Sequence, residues 1–86
     1  MAKMIVNLKT FIPEEGVWVS TVAWDMPIGL HRCAESMVFS GNQEEITSWE
    51  ELYFESHGYC TDEEILREEH ERIVKGIKEG KIQLWR

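Results

Sequence analysis

Two histidines and two cysteines are the residues whose types and spacing come nearest to chemistry. His31 and Cys33 form a His-x-Cys pair, and His57 and Cys60 form a His-x-x-Cys pair. Two imidazoles and two thiols are a donor set that zinc takes tetrahedrally. His31 and Cys33 share one face of an extended segment, because alternate strand residues do. His57 and Cys60 flank Gly58 and converge only across a turn. Structural zinc sites carry tighter pairs than these, and 23 residues separate Cys33 from His57. The set is a weak metal candidate, and no cofactor is expected. A reducing cytoplasm disfavours a Cys33–Cys60 disulfide. Cys60 also has a second chemistry, as a thiolate held at a helix N-terminus with His57 nearby. No third orienting residue, Gly-rich phosphate loop or Gly-x-Ser-x-Gly elbow accompanies it. No catalytic residue is assigned, and a thiol enzyme using Cys60 ranks last among the readings.

The acidic residues make a second pattern. Residues 43–71 hold eleven acids against one base, Arg67, whereas Arg72, Lys75, Lys78, Lys81 and Arg86 face only Glu79 in the tail. Glu64, Glu68 and Glu71 fall on or beside the outward face of a helix, and Glu50 and Glu55 come from the neighbouring strand. Such a face gives solubility, or it complements a basic protein groove by imitating a phosphate array. Trp49 and Trp85 lie near turns and the tail. Exposed Trp is enriched at interfaces, so both are candidates for a partner surface or for a homodimer contact.

The elements that position these residues follow from periodicity. Residues 4–9 alternate Met4, Val6 and Leu8 with Ile5, Asn7 and Lys9, and residues 11–16 turn the chain with Pro13 and Gly16. Residues 17–24 are rich in β-branched and aromatic side chains and predict the firmest strand. A third strand is expected over 31–39 and a fourth over 52–59, although Ser48-Trp49-Glu50-Glu51 also has the form of a capping box. Thr61 with Glu64 predicts the start of a helix over 62–79. Its apolar stripe holds Ile65, Leu66, His70, Ile73, Val74 and Ile77, and Gly80 stops it. His70 on that stripe is expected to be a core histidine bonded to a strand hydroxyl or carbonyl. Residues 81–86 read as an edge strand or a docking tail. The fold class is α+β, a three- to four-stranded antiparallel sheet with one long C-terminal helix packed on one face.

Composition narrows the function classes. Eighty-six residues, 43% hydrophobic and 29% charged, make one globular domain over 1–86. A net charge of −7 argues against direct nucleic-acid binding. No apolar run approaches the ~20 residues of a membrane span. The first residues lack a signal-peptide pattern, so a cytoplasmic protein is expected.

Ser20-Thr21-Val22, Glu35-Ser36-Met37-Val38-Phe39, Thr61-Asp62-Glu63-Glu64 and His70-Glu71-Arg72-Ile73-Val74 resemble motifs of a large group of small tailed-phage and prophage proteins. That group carries a Glu-Thr-Met-Val-Phe strand and a Thr-capped acidic helix with a mid-helix His. Ser36, Ile65 and Glu69 depart from its usual Thr, Ala and Gly. The resemblance covers residues 17–75 and implies a phage origin and a host-cytoplasm location, with no activity attached to any residue. The function expected is that of an acidic accessory protein that binds and modulates a host protein without catalysis. An inhibitor of a basic nucleic-acid-binding factor is its sharpest form. The alternative is a structural or metal-stabilised phage component with no host target.

Overall fold

The computed structural model describes residues 2–29 and 32–86. Four strands precede one helix: β1 (Met4–Ile12), β2 (Val17–Trp24), β3 (Ala34–Ser40), β4 (Tyr53–Ser56) and α1 (Glu63–Lys78). Each strand pairs antiparallel with the next, giving the sheet order β1-β2-β3-β4, and α1 lies across one face. This is the α+β arrangement that the periodicities require.

Several boundaries differ from the sequence expectation. β1 runs on through Phe11 and Ile12, which pair with Trp18 and Val17. Ile12 is fully buried, so the hydrophobic core claims it and the turn shrinks to residues 13–16. β3 begins at Ala34, and His31 lies outside the described residues. β4 is only four residues long because the chain swings away at Gly58 towards the helix. Ser48 starts no helix. Its hydroxyl accepts from the Glu50 amide in an irregular connection.

Asp62, not Thr61, caps α1. Its carboxylate accepts from the amides of Glu64 (2.9 Å) and Ile65 (3.2 Å). An anion at the positive end of the helix dipole outcompetes the neighbouring neutral hydroxyl. The stripe is narrower than expected, since Ile65 is 51% exposed while Leu66, His70, Ile73, Val74 and Ile77 are buried. At the far end Gly80 takes φ 72°. The amides of Lys81 and Gly80 return to the carbonyls of Gly76 and Ile77, which is a Schellman closure. Residues 81–86 are a docking tail, with Trp85 donating its amide to the Leu52 carbonyl and Arg86 pairing with Glu15.

The interface between helix and sheet has two apolar parts. One holds Ile12, Val17, Val19, Val38, Leu52, Ile73, Val74 and Ile77, and the other holds Val6, Ala23, Ala34 and Leu66. In β1, β2, β3 and α1 a polar residue stands between these two sets: Thr10, Thr21, Ser36 and His70. Alternation puts the opposite residues on the sheet's outer face, among them Phe11, Trp18, Trp24, Met37 and Phe39.

Two substitutions check this architecture by chemical denaturation. Asp62→Ala should cost about 0.5–2 kcal/mol, whereas Thr61→Ala should change stability little. Ile73→Ala should cost roughly 2–5 kcal/mol, a large share of the stability of so small a domain. A reversed ranking of the two cap variants would place the helix start at Thr61.

Candidate functional site

Hydroxyls and imidazoles form one chain through the core. Thr10 Oγ1 lies 2.8 Å from His70 Nε2, and Thr21 Oγ1 lies 2.7 Å from His70 Nδ1. Thr21 Oγ1 also meets Ser36 Oγ at 2.7 Å, and Ser36 Oγ meets His57 Nε2 at 2.8 Å. The register sets up this row, since Thr21 pairs with Ser36 across β2 and β3 and Ser36 with Glu55 across β3 and β4. Thr21 and Ser36 are fully buried and His70 is 2% exposed. His70 is thus the core histidine that its place on the helix stripe predicts.

The chain ends in a charged cluster. His57 Nδ1 faces Glu55 Oε2 at 3.8 Å and Glu69 Oε2 at 3.9 Å. Arg72 donates to both carboxylates, at 2.7 Å to Glu69, and the Tyr53 hydroxyl donates to Glu55 at 2.8 Å. Hydrogen bonding from Arg72 holds the Glu69 carboxyl below its usual range, and the same contact raises Arg72. Burial is the first cause that raises the Tyr53 phenol, with its bond to Glu55 adding to it.

Proton counting fixes the direction of the chain. Each member carries one mobile proton when both imidazoles are neutral. Burial lowers the pKa of both, against the raising effect of Glu55 and Glu69 on His57 and of Glu71 on His70. The carboxylates beside His57 favour a proton on its Nδ1, so Nε2 accepts from Ser36. Ser36 then accepts from Thr21, Thr21 from His70 Nδ1–H, and His70 Nε2 from Thr10. From Thr10 to Ser36 every donor is used once, and the His57 Nδ1–H faces the two carboxylates.

Ser36, His57 and a carboxylate also have the order of a hydrolytic triad. A nucleophile must reach its substrate, and Ser36 is sealed between helix and sheet with its oxygen shared by Thr21. The chain holds the core together rather than presenting a nucleophile.

The cysteines do not join His57. Cys33 is buried, with its thiol on the Gly58 carbonyl at 3.4 Å, and Cys60 turns its thiol towards the Asp62 carbonyl at 4.0 Å. Among the described residues the group of three potential ligands is Glu55, His57 and Glu69, without Cys33 or Cys60, and His31 of the expected set lies outside the described residues. Strand alternation explains it: Glu55 and His57 share the helix-facing side, while Cys60 lies beyond the bend at Gly58. At the helix N-terminus it is the Asp62 carboxylate that accepts from the amides of Glu64 and Ile65.

The proposed partner residues separate. Glu64, Glu68 and Glu71 are exposed on α1, but Glu55 is half-buried under Arg72. Trp85 is 59% exposed against Tyr53. Trp49 is 69% exposed and stands edge-on to Phe39 at the outer sheet face, on the side away from α1. There a groove of about 320 Å³ is walled by Val22, Trp24, Met37, Phe39 and Trp49. A second, of about 380 Å³, adjoins it between Trp18 and Trp49, beside Glu44, Glu45 and Lys9. The loop is pinned in place, since Trp18 donates its indole N–H to the Asn42 carbonyl at 2.8 Å. Gly41 packs so tightly there that an added Cβ would lie 2.6 Å from the Trp18 ring and 2.5 Å from the Glu45 carbonyl. Exposed Glu50 follows Trp49 in the same connection.

No family model, curated protein or solved structure matches the chain. Among the described residues, no helix is long and apolar enough to cross a membrane. No local spacing in the sequence encodes the aromatic groove, because its walls come from three strands and a loop. Its one visible signal was the second, outward set of large side chains at Trp18, Trp24, Met37 and Phe39.

The lowered histidines make stability depend on pH. Below their ordinary value of 6.5 the unfolded chain takes up protons that the folded chain refuses, so stability must fall as pH drops through that range. The urea midpoint should decrease steadily from pH 7 to pH 5, with a shallower slope in His70→Gln. A wild-type midpoint that stays flat over this interval would refute the buried neutral histidines.

Proposed function

We propose that the protein acts by binding, without catalysis, and that its outer sheet face takes a basic, apolar-tipped segment of another protein. The observation that carries this reading is the meeting of apolar and acidic groups at one place. Trp18 and Trp49 flank the same groove as Glu44 and Glu45, and the apolar groove of Trp24, Met37 and Phe39 continues from it. An apolar side chain fills such a groove, and Lys or Arg beside it meets both carboxylates and the faces of the indoles. Lys9, which lines both grooves, offers a local repulsion to that partner.

Glu64, Glu68 and Glu71 have a different part. They stand on the helix side of the molecule, away from the groove, and contribute to the overall charge of −7. Their field speeds encounter with a basic partner without touching it. The resemblance to tailed-phage and prophage proteins gives the setting: an accessory protein in the host cytoplasm that occupies a host factor. A nucleic-acid-binding factor has the basic surface this face would fit.

Tryptophan fluorescence during titration with a Trp-free Lys/Arg peptide carrying one central Phe tests the reading. Binding should weaken at least about tenfold in Trp49→Ala and in the pair Glu44→Lys with Glu45→Lys. The pair should also flatten the salt dependence. Reversing Glu64, Glu68 and Glu71 to Lys should cost much less. If the helix triple loses binding while Trp49→Ala binds like wild type, the docking surface lies on α1 instead.

A further inference from the structure

We infer that Glu55, His57 and Glu69 form a binding site for a divalent transition ion of the zinc class, with Arg72 as the cation already held in its place. The ligand atoms lie within 4.8 Å of one another. His57 Nδ1 stands 3.8 and 3.9 Å from the two carboxylate oxygens, too far for good hydrogen bonds. Ligands around a tetrahedral ion at its usual 2.0–2.2 Å sit roughly 3.3 Å apart, so small rotations of two glutamates close the site.

Three features favour the ion. The His57 side chain is only 6% exposed, yet its Nδ1 is aimed at both carboxylates. Ser36 holds the other ring nitrogen, which is the outer contact that orients a metal-bound histidine. Arg72, whose side chain is 47% exposed, shows that the two carboxylates already attract a cation, and it can swing out to solvent. One imidazole and two carboxylates suit zinc better than the harder magnesium or calcium, and water completes the fourth position.

The proton chain makes this site reach further than its own ligands. A metal at His57 Nδ1 takes the lone pair and expels the proton held there. Nε2 must then carry the proton of the neutral ring, so it donates to Ser36 instead of accepting. Ser36 gives its proton to Nε2 and takes that of Thr21, Thr21 takes the one on His70 Nδ1, and His70 Nε2 takes that of Thr10, so each member now donates in the opposite direction. One proton leaves at His57, one enters at half-buried Thr10, and the count balances. Metal binding at the β4 end thus switches the tautomer of His70 at the other end of the belt.

Zinc chloride titration of the full chain in a Cys33→Ser, Cys60→Ser background tests both parts, by calorimetry and by ¹⁵N NMR of the imidazoles. One equivalent should bind, His57→Gln should weaken binding at least tenfold, and Arg72→Gln should tighten it several-fold by removing the competitor. In the unsubstituted ligand set the protonated nitrogen of His70 should move from Nδ1 to Nε2 as zinc is added. Absence of saturable binding, equal affinity in His57→Gln, or weaker binding in Arg72→Gln would overturn the site. Saturation without a change in the His70 tautomer would overturn the coupling. That last measurement needs no substitution at the ligands, and repeating it with both cysteines in place keeps it independent of any variant's folding.

Discussion

A histidine buried between a helix and a sheet must find a partner for each ring nitrogen, or leave a polar group bare at a cost of about 1–3 kcal/mol. His70 satisfies this with Thr10 on β1 and Thr21 on β2. Two fixed hydrogen bonds to two strands leave α1 one position along the sheet. Moving it by a turn would set Leu66 or Ile73 against hydroxyls and His70 against valines. The apolar residues on either side supply most of the driving force, and they are interchangeable enough to tolerate sliding. The polar row specifies which of the available packings is adopted.

The same row explains which parts of the structure the sequence disclosed. Periods of two and of 3.6 revealed the strands and the helix, and the stripe holding Leu66, His70, Ile73 and Ile77 marked the buried face correctly. The end of β1 lies beyond the sequence expectation because Pro13 and Gly16 announce a turn without saying where the core lets go of the chain, and Ile12 stays in it. Thr61 and Asp62 both have capping side chains, and only the backbone path decides between them. The link from Thr21 through Ser36 to His57 depends on strand register, a long-range property that no local spacing encodes. Arg72 illustrates the same limit. Spacing pairs it with Glu68, but β4 brings Glu55 near and Arg72 turns to Glu69 and Glu55.

The two sides of the sheet carry different physics. The helix side is closed, and its polar groups are matched internally. The outer side is open and aromatic, with Glu44 and Glu45 beside its grooves and Ser20 and Glu35 buried among its aromatic residues. Charge is also divided between the two sides, with Glu44 and Glu45 by the grooves and Glu64, Glu68 and Glu71 on α1. An acidic sequence block of twenty-nine residues is therefore not one acidic surface, and counting charge along the chain overstates how concentrated it is in space.

The order of elements has a consequence for how the chain reaches this state. A meander pairs each strand with its sequence neighbour, so the four strands can assemble in chain order as the chain emerges from the ribosome. The helix comes last in that order, and until it docks the inward face of the sheet is bare. Bare apolar sheet invites association with other nascent chains. Thr10, Thr21 and Ser36 break that face into two smaller apolar areas divided by wetted hydroxyls. The residues that anchor the helix in the finished molecule thus moderate the stickiness of the sheet during the interval before the helix arrives.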